Sequence, residues 1–233
     1  MATRRALVCF LATVPFRGHN APNTSNAAEG NSWRSITAFP TDWGIHPWEH
    51  YAKIHGDSFE HQLRIEFEQH AGDSPGLLPR AIDLGCGSGI HGRRMAAAGF
   101  EVVGVEAQQL PLVRARRQAG PHETYVQADV TDLSELAAGF DFFLDSGCLQ
   151  GLSDAARTRY GQEVGRLAAP GATFLSLQFD NSRFSSFIGG ISREELEDVL
   201  SQWALIDDYP ADTRGLGWLQ KRTRPHWYRF LYR

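Results

Sequence analysis

Acidic side chains recur where apolar, strand-like runs end, and one of them leads into a cluster of glycines. Asp83 lies in Ala81-Ile82-Asp83-Leu84-Gly85-Cys86-Gly87-Ser88-Gly89, Glu106 closes the run Glu101–Glu106, Asp129 follows Thr124–Ala128, and Asp145 follows Phe140–Leu144. Glycines let the backbone approach a ligand with no Cβ in the way, and a helix that starts there presents N–H groups without partners. A phosphate-binding loop of the GxxxxGK[ST] kind needs a lysine, and none is present. A dinucleotide turn wants GxGxxG, and Ile90 stands where its last glycine would be. Asp83 would repel a pyrophosphate. It would attract a cationic amino-acid group, more strongly in a partly dry cleft than in water.

The neighbouring acids extend that logic. A carboxylate at Glu106 can accept hydrogen bonds from both hydroxyls of a ribose. Asp129 can accept from an adenine amino group while Val130 covers the ring. Three acids at the ends of successive strands suit an adenosine that carries a cation and no phosphate, a description that S-adenosylmethionine meets.

These residues need elements to position them. Strands are expected at Arg80–Leu84, Glu101–Glu106, Thr124–Ala128, Phe140–Leu144, Ala172–Phe179, Leu205–Tyr209 and His226–Tyr232. Helices are expected at Ile90–Ala98, Leu110–Gln118, near Leu133–Ala138, at Asp154–Leu167 (halted by Pro170-Gly171) and at Arg193–Gln202, with Ser192 as its N-cap. Alternation of this kind means βαβ units and a largely parallel sheet between helices. The alternating Trp227–Arg233 run reads as a strand near the sheet edge, its charges managing exposure. Upstream, Phe59, Leu63 and Phe67 recur at four-residue spacing and make one helix face. Asp57 and Glu60 are spaced as a capping box before it.

Three segments follow: a flexible leader over 1–32, a helical lid over 33–76 and an α/β domain over 77–233. Arg4 and Arg5 precede a short apolar run like the start of an export signal, but Pro15, Phe16 and Arg17 end it early and no cleavage site follows closely. The chain has 233 residues, a net charge of −4 and 42% hydrophobic residues. That is core enough for one domain without staples. No apolar run reaches the ~20 residues of a membrane helix, and the charge is not that of a general nucleic-acid binder. The three cysteines are odd in number and far apart, which implies a reducing compartment, the cytoplasm. The partner expected is a small molecule, with neither nucleic acid nor membrane, for a monomer or homodimer.

AIDLGCGSG, the acid ending VVGVE, Ala128-Asp129-Val130 and FDFFLDSG (140–147) resemble, in order and spacing, the motifs of class I S-adenosylmethionine-dependent methyltransferases, the bacterial small-molecule type among them. The resemblance covers about residues 80–180. It implies a doubly wound, Rossmann-like sheet of seven strands, order 3-2-1-4-5-7-6, with the seventh antiparallel, and S-adenosylmethionine as cofactor. It places Asp83, Gly85, Cys86 and Gly87 at the methionine end, Glu106 and Ala107 at the ribose, Asp129 and Val130 at the adenine, and Asp145 and Ser146 beneath the sulfonium, facing the acceptor. The run Gly147–Leu152 resembles the segment after the fourth strand in bacterial small-molecule methyltransferases, with Gln150 where a histidine often stands; glutamine cannot act as a base.

Base candidates are therefore His46 and His50 in the lid and Asp145. Trp43, Trp48, Tyr51 and Gln150 are the candidate acceptor contacts. The acceptor expected is a small organic molecule, a specialised metabolite. Other readings stay open. The fold can bind the cofactor without methyl transfer, as a cyclase would. His46-Pro47-Trp48-Glu49-His50 formally fits the zinc pattern HxxEH, though no third ligand is placed and no metal is expected. A nicotinamide dehydrogenase is disfavoured by Ile90 and Asp83.

Overall fold

The computed structural model describes residues 51–52, 55–71, 77–180, 190–215 and 221–233. Most of the leader-and-lid region, with His46, His50, Trp43 and Trp48, lies outside them. Helix α1 is Gly56–His70. Then come β1 Arg80–Leu84, α2 Ile90–Ala98, β2 Glu101–Glu106, α3 Gln109–Arg117, β3 Glu123–Gln127 and β4 Phe140–Ser146. A 3-10 turn Leu149–Gly151, α4 Asp154–Leu167, β5 Ala168–Phe179, α5 Arg193–Val199, β6 Trp203–Pro210 and β7 Pro225–Tyr232 complete the described chain. The sheet has the order β3-β2-β1-β4-β5-β7-β6, and β7 runs antiparallel to β5 and β6.

Strand alternation sorts the side chains into two cores. Ala81, Val102, Phe142, Leu144, Leu175, Leu177 and Trp227 face one side, against Phe59 and Leu63 of α1 and Met95 of α2. Ile82, Leu84, Val105, Phe143 and Phe174 face the other, against Tyr160 and Val164 of α4 and Leu196 of α5. The α1 stripe is longer than Phe59, Leu63 and Phe67. Main-chain bonds from His55 N to Tyr51 O (3.0 Å) and from Phe59 N to His55 O (3.2 Å) carry the helical repeat back through His55 to Tyr51.

Several local expectations are corrected. The Asp57/Glu60 capping box does not form: α1 begins at Gly56, His55 is its N-cap without a side-chain bond, and Asp57 lies in the first turn. A true box closes α5, where Glu195 N donates to Ser192 Oγ (3.1 Å) and Ser192 N to Glu195 Oε2 (2.8 Å). No helix forms at Leu133–Ala138. Asp132 Oδ1 accepts from Ser134 Oγ at 2.8 Å, and α4 takes the main chain of Leu133 instead, Glu163 accepting its N–H and Arg166 donating to its carbonyl. Pro170-Gly171 does not delay β5, which starts at Ala168; the register slips between Phe140 and Phe142, and this bulge absorbs the breakers. Nor is β7 an edge. It lies between β5 and β6, with Trp227 and Phe230 buried and Arg229 committed to the buried carboxylate of Glu66.

Candidate active site

At the carboxyl end of β1 the chain wraps around the end of β2. The N–H groups of Gly85 and Cys86 both donate to Val105 O at 2.9 Å. Gly85, Gly87 and Gly89 have φ of 76°, 54° and 76°, which favours glycine. Glu106 braces the turn: its Oε2 accepts from Gly87 N (3.0 Å) and its Oε1 from Gln108 N (2.7 Å). The same turn is supported from below by Tyr125 of β3, whose ring fills the space that Cβ atoms at Gly89, Gly92 and Gly104 would occupy. A Cβ on Gly87 would meet nothing within 4 Å. The turn therefore holds an open cradle.

That cradle is the floor of a cavity of about 150 Å³. Gly85, Cys86, Gly87, Glu106, Ser146, His91 and Ala52 are among its walls. Ser146 Oγ is buried there with no hydrogen-bond partner. Asp83, on the same face of the sheet, is 1% exposed, and its Oδ2 also lacks a partner. Burial first, then the charges of Asp145 and Glu106, push the Asp83 carboxyl up to about 7, against one N–H bond from Gly92. The Cys148 thiol, packed where a Gly85 Cβ would go, reports the same field. Burial and then Asp145, Glu106, Asp129 and Asp83 raise it well above the usual range. Among the described residues, the charges that act on Asp83 are those of the acids Asp145 and Glu106.

The remaining expected residues divide. Asp129 Oδ1 accepts from Thr131 N (2.9 Å) and Thr131 Oγ1 (2.8 Å), which shapes the turn after β3. Val130 is buried in the α4-side core, and Ala107 O accepts from Gln127 Nε2 at 3.0 Å. Asp145 is not among the walls of this cavity. Alternation along β4 turns it to the α4 side, where it is fully buried and accepts from Tyr160 OH (2.6 Å), Cys148 N, Leu149 N and Gln178 Nε2. With four donors this carboxylate anchors the 3-10 turn, while burial raises it above the usual carboxylate range against those bonds. Gln150 likewise is 2% exposed and accepts from Phe179 N at 2.6 Å, tying that turn to the end of β5. Tyr51 lies in the α1-side core and lines a different cavity.

His91 was not anticipated. It stands two residues beyond the glycine turn, in the first turn of α2, and that position brings it to the cavity. Its Nδ1 is buried without a partner, its ring meets Phe59 edge-on at 4.7 Å, and burial with the nearby Arg94 charge holds it down to about 3. The ring is therefore neutral and adds no positive charge to the site. Among the described residues, no group of three His, Cys, Asp or Glu could hold a metal ion; His46, Glu49 and His50 lie outside them.

A family model described as a methyltransferase domain matches residues 81–171, the stretch that builds this cavity. Over that stretch the chain is similar to methyltransferase domains. Methyltransferases with this fold have been solved with S-adenosylhomocysteine, and the unpartnered Asp83 and Ser146 oxygens, the open face of Gly87 and the nearby acids fit the cationic nucleoside S-adenosylmethionine. A curated relative is the 2-heptyl-1-hydroxyquinolin-4(1H)-one methyltransferase of Mycobacteroides abscessus, 31% identical over 134 residues, 54% of this chain and 59% of that protein. The chain spans about half the length of the curated relatives it matches. The fold is shared with the N-methyltransferase NodS from Bradyrhizobium japonicum WM9, solved with S-adenosylhomocysteine (TM-score 0.63, 15% identity, 87% of this chain and 99% of that one). It is shared also with the [4+2]-cyclase SpnF (TM-score 0.55, 16% identity, 74% of this chain and 79% of that one).

Proposed function

We propose that this methyltransferase transfers the methyl group of S-adenosylmethionine to a small organic acceptor, a specialised metabolite built on a flat, hydroxyl-bearing ring. The carrying observation is Asp83: a buried carboxylate with an unpartnered oxygen, in a field of like charge, beside an open glycine cradle. Such a group gains most from a cationic ammonium. In this reading Asp83 accepts from the methionyl amino group, Glu106 from the ribose hydroxyls, and Asp129 from the adenine with Val130 against its ring. Ser146 lines the cavity wall on the acceptor side. Bound S-adenosylmethionine supplies a methyl group already activated on sulfur, so the protein's part is alignment, exclusion of water and, where the acceptor carries a proton, its removal. The ring-bearing substrate named for the Mycobacteroides relative supports the acceptor class. The free thiols of Cys86 and Cys148 suit a reducing compartment, and we assign the protein to the cytoplasm.

Calorimetry with S-adenosylhomocysteine tests the cofactor assignment. Asp83→Ala and Glu106→Ala are each expected to weaken binding by tenfold or more, as for charged hydrogen bonds worth about 1.5–3 kcal/mol. Unchanged affinity in both variants would remove the assignment. A cyclase-like reading, cofactor bound without methyl transfer, draws support from the engagement of both Asp145 and Gln150 in structural bonds. S-adenosylhomocysteine accumulating in step with product excludes it.

A further inference from the structure

A second cavity, of about 230 Å³, is walled by α1 and by the β6–β7 end of the sheet. Its lining is aromatic, with Tyr51, Phe59, Tyr209 and Trp227. His55 enters it from the helix stripe. This residue is only 8% exposed, and its Nε2 is buried with no hydrogen-bond partner. Its Nδ1 faces Asp212 Oδ2 at 3.6 Å, and the Tyr51 ring packs on it at 4.6 Å. Asp212 is itself held by Arg214, at 2.6 Å and 2.8 Å to the same oxygen. That guanidinium, with His55 adding to it, keeps the Asp212 carboxyl down at about 2, ionised throughout the working range. His55 thus lines the cavity with one nitrogen toward a carboxylate and the other buried without a partner, the geometry of a base oriented by an acid.

The two cavities are neighbours. Tyr51 lines the aromatic one and the adjacent Ala52 the glycine-turn one. Phe59 lines the first, and its ring touches His91, which lines the second. One register row crosses the sheet from Ser146 through Leu177 and Trp227 to Tyr209. Ser146 and Trp227 are thus two strand spacings apart, about 10 Å.

We infer that the aromatic cavity is the acceptor site, and that His55, oriented by Asp212, is the general base that takes the proton from a hydroxyl on an aromatic ring. This rests on the methyl-transfer reading above and names its acceptor site and base. The acceptor O–H bond breaks and its proton passes to His55 Nε2. The oxygen forms the new bond to the methyl carbon while sulfur keeps the electron pair of the broken C–S bond, and the proton is later released to water. The groups that face His55 are Tyr51, whose ring packs on it, and Asp212 with its partner Arg214. His61, Gln62 and Tyr209 share the cavity lining.

The test uses the full chain, S-adenosylmethionine and 2-heptyl-1-hydroxyquinolin-4(1H)-one as acceptor probe, with S-adenosylhomocysteine formation followed across pH and S-adenosylhomocysteine affinity measured separately. His55→Gln is expected to lower kcat by 100-fold or more and to leave that affinity within twofold. Asp212→Asn is expected to lower kcat about tenfold and to move the acid limb of its pH profile to lower pH, because the imidazolium loses its counter-charge. Wild-type turnover in His55→Gln overturns the inference, and so does an equal loss of affinity and turnover. If that variant does not fold, an unshifted acid limb in Asp212→Asn overturns it. A wild-type protein that binds S-adenosylhomocysteine but leaves the hydroxyquinolinone unmethylated overturns the acceptor assignment alone. One that does not bind S-adenosylhomocysteine overturns the function on which it rests.

Discussion

Asp83 carries the sharpest pH consequence at the level of single residues. Its carboxyl is raised from 3.8 to about 7, chiefly by burial. Between those values the folded protein holds a proton that the unfolded chain has released, so without ligand Asp83 lowers stability as pH rises through this window. A bound ammonium reverses the preference and requires the ionised form. S-adenosylhomocysteine affinity is therefore expected to fall as pH drops below about 7, with proton release on binding visible as a buffer-dependent calorimetric enthalpy. Asp83→Asn should bind weakly and flatten that pH dependence. A wild-type affinity constant from pH 5.5 to 8 would rule out an unpaired Asp83 as the ammonium site. Glu106 differs although it is also an acid at a strand end. Two main-chain N–H groups already hold it, so its loss loosens the turn as well as the ribose contact.

Among the elements, α1 is the one most dependent on a buried charge. Glu66 is fully buried and accepts from Arg229 Nε (2.6 Å), a second Arg229 nitrogen (3.1 Å), Thr173 Oγ1 (2.8 Å) and Gln62 Nε2 (3.0 Å). His70 Nε2 lies 2.9 Å from the same Thr173 hydroxyl. This network ties α1 to β5 and β7. Arg229→Ala strands a carboxylate in the core and is expected to destabilise by about 3–5 kcal/mol, read from the urea midpoint at constant m. A loss below about 1 kcal/mol would mean that water reaches Glu66. In the sequence, Arg229 alternates with aromatics and looks like an edge charge; β7 became an interior strand only because β6 pairs outside it. The Gly104 of VVGVE is similar. Nothing in that run explains a glycine, yet the Tyr125 ring from the next strand fills the place where its Cβ would be.

For the molecule as a whole, a ligand that binds only the folded state must raise its melting temperature. S-adenosylhomocysteine at a hundred times its Kd adds about 2.7 kcal/mol, which for a chain of this length lifts the midpoint by roughly 5–10 °C. NAD at the same concentration is expected to leave it within about 1 °C, because the acids of the site oppose a pyrophosphate. An equal shift with NAD would transfer the cradle to a dinucleotide.

The order of strands and helices, the glycine turn and the acids at the ends of β1 and β2 were legible in the sequence. Hydrophobic period, glycine spacing and strand ends are local properties, each written within a dozen or so residues. What only the tertiary structure decided depends on contacts between distant segments. Alternation along β4 and packing of α4 gave Asp145 four donors and made it the anchor of the 3-10 turn. The end of β5 took Gln150 out of the cavity. The meeting of α1 with the segment after β6 brought His55 to Asp212, 157 positions apart, in a pairing that no local pattern encodes.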